Sequence, residues 1–121
     1  MIEIETDKTR RLLKFRFAGK VTADESRQSL EQVRTQLSDL EPGFRLLSDL
    51  TRLDFMDPGC VPYIKQTMEL CDEKGVSQIV RIIPDPKKDI GLGILSLFHY
   101  RRRVPTVTCR SLEEAAEVLA A

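Results

Sequence analysis

The sequence predicts a single α/β domain over residues 1–121, with a mixed sheet of about five strands and about four helices. Apolar residues alternate with charged ones near the amino terminus, as in strands with one solvated face. Farther along, short β-rich apolar runs are separated by segments with helical spacing. The resulting order is β-β-α-β-α-β-α-β-α. Strands joined through helices pair in parallel, so only the first hairpin should be antiparallel.

Composition narrows the class of function. The 121 residues include 19 Lys and Arg and 19 Asp and Glu, so there is no net positive charge to attract nucleic acid or an anionic membrane. No apolar run approaches the roughly 20 residues that span a bilayer. We expect no signal peptide and a cytoplasmic location. The three cysteines lack metal-ligand spacing, which predicts buried thiols rather than a metal site or disulfides.

The first third of the chain predicts a hairpin followed by one amphipathic helix. Ile2 and Ile4 alternate with glutamates, and a second alternating run from Leu13 to Phe17 follows a polar turn. Thr22 and Glu25 then have the spacing of a capping box, which indicates where the helix begins. The apolar face of this helix consists of Leu30, Val33, Leu37 and Leu40.

The central stretch predicts a buried strand, a polar turn and a helix. Residues 44–50 form the apolar run, and residues 53–57 are interpreted as the turn. Asp57 is a helix cap, and Pro58 stands where a missing N–H has no consequence. The predicted helix ends at Gly75, a residue suited to a left-handed backbone. Its apolar stripe is Val61, Ile64, Met68 and Cys71.

The last third predicts a strand at 76–83, a helix at 89–103, a strand at 104–109 and a final helix. Ser111 and Glu114 form a second capping box. Leu112, Ala115, Ala116 and Leu119 are the predicted inner face of that last helix.

The segment Asp49-Leu50-Thr51-Arg52-Leu53-Asp54-Phe55-Met56-Asp57 resembles the D-L-s-x-v-x-F-M-D motif of STAS domains, the anti-sigma-factor antagonists and their relatives. The resemblance implies a STAS-like fold, and the order of elements agrees from end to end. In regulatory members the motif continues with a phosphorylatable Ser or Thr. Here Pro58 and Gly59 stand at those positions, so the phosphorylation switch does not carry over. A branch of the same fold related to lipid-binding domains fits about as well.

The resemblance implies a non-catalytic regulatory module that binds a protein partner, an anti-sigma-factor-like kinase in that case, independently of phosphorylation. The first candidate surface is the loop of residues 54–60, which in α/β folds lies at the carboxyl end of a strand. Its predicted partner-binding residues are Asp54, Asp57, Pro58, Gly59 and Cys60. The alternative is that Asp57 does no more than cap the helix.

The helix predicted at 89–103 is the second candidate because apolar residues surround more than one of its faces. Three interpretations stay open: a deeply buried helix, an interface for a homodimer or partner, and a pocket for a small or lipid-like ligand. The residues concerned are Leu92, Leu95, Phe98 and His99. The sequence predicts no enzymatic activity, no cofactor and no metal. Cys60 would be the nucleophile of an enzyme, because a helix N-terminus lowers the pKa of a thiol.

Overall fold

A computed structural model describes residues 1–83 and 104–120. The helix predicted at 89–103 therefore lies outside the described residues. The described elements are β1 (Ile2–Asp7), β2 (Leu12–Val21), α1 (Ala23–Ser38), β3 (Arg45–Met56), a 3₁₀ turn (Pro58–Cys60), α2 (Val61–Lys74), β4 (Gln78–Ile82), β5 (Thr106–Cys109) and α3 (Leu112–Ala120).

The five strands form one sheet in the order β1-β2-β3-β4-β5. The β1–β2 hairpin is antiparallel, and every later pair is parallel. The predicted α/β class and mixed sheet are thus confirmed. The described residues hold three α-helices and one 3₁₀ turn, against about four helices predicted from the alternation of strands and helices.

Alternation along the strands divides the core between the two faces of the sheet. On the first face, Phe15 and Leu46 pack with α1 and α2 residues such as Val33 and Met68. On the second face, the buried cluster consists of Leu12, Leu47, Val80, Ile82, Cys109, Ala115 and Leu119. Helix α3 therefore covers one part of the second face, while α1 and α2 cover the first.

Local hydrogen bonds explain where the helices begin. The Thr22 hydroxyl accepts from the N–H of Glu25 at 3.2 Å, as the capping-box spacing predicts. The Glu25 carboxylate does not complete the box. It accepts instead from the N–H of Ile2 at 3.0 Å and lies 3.2 Å from the Met1 amine. Glu25 thereby fastens β1 to the start of α1.

Helix α2 ends where the sequence predicts. Gly75 has φ 98°, and its N–H donates to the carbonyl oxygens of Cys71 and Asp72. The Gly75 carbonyl accepts from the N–H of Gly43 at 2.7 Å, which joins the end of α2 to the turn before β3. A Cβ at position 75 would lie 3.1 Å from the Cβ of Pro42, so the turn packs too closely to leave room for a side chain there.

Two predictions about local structure are wrong. The polar segment 53–57 was predicted to be a turn, but β3 continues to Met56 because β2 pairs with it as far as Val21. The inner face predicted for the last helix is also too wide. Ala115 and Leu119 are buried, whereas Leu112 is 50% exposed and Ala116 is exposed.

Candidate functional site

The candidate loop, residues 54–60, consists of the last three residues of β3, Asp57 and the 3₁₀ turn, and it lies beside the carboxyl end of β2. Asp57 is attached to β2 through its N–H, which donates to the Val21 carbonyl at 2.9 Å. Asp57 Oδ1 accepts from the N–H of Gly59 at 2.8 Å, and its carbonyl accepts from the N–H of Cys60 at 2.9 Å. The cap predicted at Asp57 is therefore present, although the first turn that it caps is 3₁₀ rather than α.

An irregularity in strand pairing gives the loop its shape. Gly19 pairs with Leu53 and Lys20 pairs with Phe55, so Asp54 is an extra residue in β3. Such a bulge changes the direction in which the following side chains point. Asp54 is exposed and Phe55 is 40% exposed, whereas Leu53 is fully buried.

The pairing of β3 with β4 stops earlier than its pairing with β2. Asp49 and Ile82 form the last register pair, and Thr51 lies beyond it. The buried Asp49 carboxylate accepts from both the N–H of Thr51, at 3.0 Å, and its hydroxyl, at 2.6 Å. Asp49 thus satisfies the backbone N–H of Thr51, which lies beyond the end of β4. This bond supports the projecting end of β3 that carries the loop.

Four of the five residues predicted for partner binding reach the surface together. Asp54, Pro58 and Gly59 are exposed, and Asp57 is half-buried. Phe55 belongs to the same exposed segment, and it was not predicted as a site residue. Its position between Asp54 and Asp57, within a stretch interpreted as a turn, is the signal that could have identified it.

The positions at which regulatory STAS domains carry hydroxyl groups differ in their surroundings. Pro58 is exposed, so a different side chain there would extend into solvent. At Gly59 a Cβ would lie 3.0 Å from the Cβ of Ala23, in the first turn of α1, and 3.3 Å from Asp57 Oδ1. Position 59 is therefore closed to a side chain unless α1 or Asp57 moves.

The Cys60 thiol lies beneath the loop rather than on it. Its side chain is fully buried, and Sγ donates to the Val21 carbonyl oxygen at 3.6 Å. Burial raises the pKa of the Cys60 thiol, and the negative charges of Asp57 and Glu25 also raise it. The neighbouring Ser26 hydroxyl lowers this pKa in part but does not reverse the shift. A lowered pKa was expected at a helix N-terminus; burial overrides that effect here.

We expect Cys60 to react with iodoacetamide at neutral pH at least roughly tenfold more slowly than an exposed thiol, because the thiolate is both scarce and inaccessible. Peptide mapping by mass spectrometry after timed labelling would measure the rate. An exposed Ser38→Cys variant provides the reference thiol, and labelling in urea shows that Cys60 reacts once the chain unfolds. Equal rates at Cys60 and at position 38 in the native protein would contradict the buried position.

The second predicted site cannot be placed, because Leu92, Leu95, Phe98 and His99 lie outside the described residues. Within residues 1–83 and 104–120, no group of His, Cys, Asp or Glu side chains is arranged to hold a metal ion. No helix in this same part of the chain is long and apolar enough to cross a membrane.

Comparison with known proteins gives structural matches alone. No family model matches the chain, and no curated protein matches it. The structure of the anti-sigma factor antagonist SpoIIAA in its unphosphorylated form is similar over 100% of this chain and 99% of that one, with a TM-score of 0.66 and 18% identity. The chain has a SpoIIAA-like fold.

Two further solved structures share the SpoIIAA-like fold. One is an uncharacterized protein of the DUF3478 family from Shewanella loihica PV-4, with a TM-score of 0.67 and 18% identity over 98% of this chain and 92% of that one. The other is SpoIIAA of Bacillus, a cell fate determinant, in its phosphorylated form. Its TM-score is 0.64 at 18% identity, over 98% of this chain and 99% of that chain.

Proposed function

We propose that this chain is a non-catalytic regulatory module that binds a protein partner through the docking loop, defined as residues 54–60. The exposure of Phe55 carries the proposal. A phenylalanine that is 40% exposed stands at the end of a projecting strand, among the exposed Asp54, Pro58 and Gly59. Aromatic side chains surrounded by polar ones are typical of the centres of protein interfaces.

The SpoIIAA-like fold supports the choice of partner class. SpoIIAA is described as an anti-sigma factor antagonist, and the partner proposed here is correspondingly an anti-sigma-factor-like kinase. Neither Pro58 nor Gly59 has a hydroxyl group, so binding would not be switched by phosphorylation at these positions. The burial of Cys60 supports a non-catalytic role, because this thiol was the sequence's candidate nucleophile.

Two finer parts of the proposal concern cellular location and self-association. A cytoplasmic location fits three cysteines that are free and buried. Self-association through the apolar segment that contains Leu92, Leu95 and Phe98 stays a prediction, and light scattering of the native protein would check it.

The test measures the affinity of the purified chain for each anti-sigma-factor-like kinase of the same genome by calorimetry. We expect one of them to bind and Phe55→Ser to weaken that binding at least roughly tenfold, as interface anchors do. Leu112→Ser is the matched control, because Leu112 is also an exposed large apolar residue but lies on α3. Incubation with ATP and the bound kinase should transfer no phosphate to the docking loop.

Three results would contradict this proposal. The first is that none of these kinases binds the chain. The second is that Leu112→Ser weakens binding as much as Phe55→Ser, which would move the interface to α3. The third is that the complex disappears when ATP is added, which would restore regulation by phosphorylation.

A further inference from the structure

A second concave surface lies between α3 and the sheet, which we call the α3 groove. Its volume is about 250 Å³. Its apolar walls are Leu12, Leu47, Leu112, Ala115, Ala116 and Leu119. The sequence predicts that Leu112 and Ala116 face inward. They are exposed because the groove leaves this edge of the second hydrophobic cluster open to solvent.

The charged residues that line the α3 groove have one sign. Arg10 and Lys14 are the only charged side chains among its described lining residues. Lys14 Nζ lies 3.9 Å from Glu5 Oε1, at the outer limit of an ion pair between partly solvated groups. The side chain of Arg10 makes no ion pair with another described residue within 4.0 Å, although its backbone N–H bonds to Asp7.

An acidic neighbourhood bounds the groove on one side. A smaller adjoining cavity of about 120 Å³ shares Lys14, Leu47 and Leu112 with it. Its other charged lining residues include Glu3 and Asp49, with Arg16 lying 3.6 Å from Glu3 and 3.9 Å from Asp49. Arg16 is thus held between two carboxylates, whereas Arg10 is not.

We propose that the α3 groove binds a single-chain anionic amphiphile, a fatty-acid-like carboxylate. The apolar chain would lie against the exposed Leu112 and Ala116, above the buried Leu47 and Leu119, where it removes exposed apolar surface from water. The carboxylate would pair with Arg10 and Lys14, since a charge-assisted hydrogen bond to a cation is stronger than a neutral one. The carboxylates of the adjoining cavity repel an anionic head, so the head lies at the Arg10 end.

The size of the groove argues for one slim chain. Pockets for drug-sized ligands enclose roughly 300–1,000 Å³, and this groove lies just below that range. A two-chain lipid would need more room. The site does not rest on the docking loop, since Arg10 and Leu12 lie at the amino end of β2 and the docking loop lies beyond its carboxyl end.

Calorimetric titration with decanoate, kept below the concentration at which it forms micelles, tests the proposal. We expect saturable binding of one decanoate per chain, and at least tenfold weaker binding by an Arg10→Ala/Lys14→Ala variant. Decanol, which has the same chain without the charge, should bind the native protein at least tenfold more weakly than decanoate.

Two substitutions on α3 separate the groove from the general surface. Ala116→Phe fills the groove from an exposed position and should abolish decanoate binding. Glu117→Phe adds the same side chain at the next exposed position, which does not line the groove, and should leave binding unchanged. Circular dichroism melting curves confirm that both variants fold.

Three outcomes would overturn the proposal. Absence of saturable decanoate binding removes the site. Equal affinity for decanol and decanoate removes the role of Arg10 and Lys14. Equal loss of binding in Ala116→Phe and Glu117→Phe places the ligand elsewhere on α3. Loss of kinase binding by Phe55→Ser would leave all of these measurements unchanged, so the two proposals fail independently.

Discussion

Leu53→Ala should lower the free energy of unfolding by about 3 kcal/mol, near the middle of the range for leucines truncated in a core. Leu53 is fully buried and belongs to the cluster between the sheet and helices α1 and α2. Its removal would leave a cavity beneath the projecting end of β3, where Asp49 and Thr51 already replace a strand partner. Urea unfolding followed by circular dichroism measures the loss.

Phe55→Ala is the matched control for this substitution. Phe55 lies two residues farther along β3 and is 40% exposed, so its truncation should change the unfolding free energy by no more than about 0.5 kcal/mol. The pair decides whether β3 continues past residue 52. If both variants lost the same stability, segment 53–57 would be a turn that buries neither side chain selectively, as the sequence pattern alone indicates.

Gly75→Ala should lower the unfolding free energy by about 2 kcal/mol. A left-handed backbone disfavours any residue with a Cβ by roughly 1–2 kcal/mol, and Gly75 has φ 98°. The added methyl group would also lie 3.1 Å from the Cβ of Pro42, in a turn held by the bond between Gly43 and Gly75. Thermal and urea unfolding both report this loss.

Gly19→Ala separates the two causes. Gly19 also has a left-handed backbone, with φ 63°, but no heavy atom lies within 4 Å of the position that its Cβ would take. Only the backbone term applies there, so the loss should be about 1 kcal/mol. Equal losses at positions 19 and 75 would mean that the turn around Pro42 yields freely to a side chain.

Local signals predicted much of this fold because they involve residues that are close in sequence. The alternation of Ile2 and Ile4 with glutamates predicted β1, and Gly75 predicted the end of α2. The helical spacing from Leu30 to Leu40 predicted the buried face of α1, although the helix ends at Ser38 and Leu40 is buried just beyond it. Each signal concerns one element and its own periodicity, so its interpretation needs no knowledge of what packs against that element.

The errors arose where distant segments determine the structure. The sequence at the end of β3 is typical of a polar turn, but residues 18–21 of β2 pair with it and extend the strand as far as Met56. The periodicity of α3 places Leu112 and Ala116 on its inner face, but that part of the helix borders an open groove that Arg10 and Lys14 also line. Neither outcome can be derived from the spacing of residues within the segment.

The candidate site was predicted only in part, because some of its features depend on local sequence and others on distant segments. Asp57 and Pro58 predicted a helix start, because Asp is a favoured cap and Pro a favoured first residue. The docking loop lies at the carboxyl end of a strand, where an α/β fold exposes such a start. The burial of Cys60 depends on Val21 and Ser26, which are more than thirty residues away, so the sequence allowed both a reactive and a buried thiol. The exposure of Phe55 depends on the bulge at Asp54, which only the register reveals.

Position 58 has more space for a side chain than position 59, and this difference determines where a phosphorylatable residue could be introduced. Proline and serine codons differ by a single base, and a serine at the exposed position 58 would meet no obstacle. A serine at position 59 would place its Cβ 3.0 Å from the Cβ of Ala23 and 3.3 Å from Asp57 Oδ1, so it would have to displace α1 or Asp57. Any descendant of this chain that acquires such a switch should therefore carry its hydroxyl at position 58.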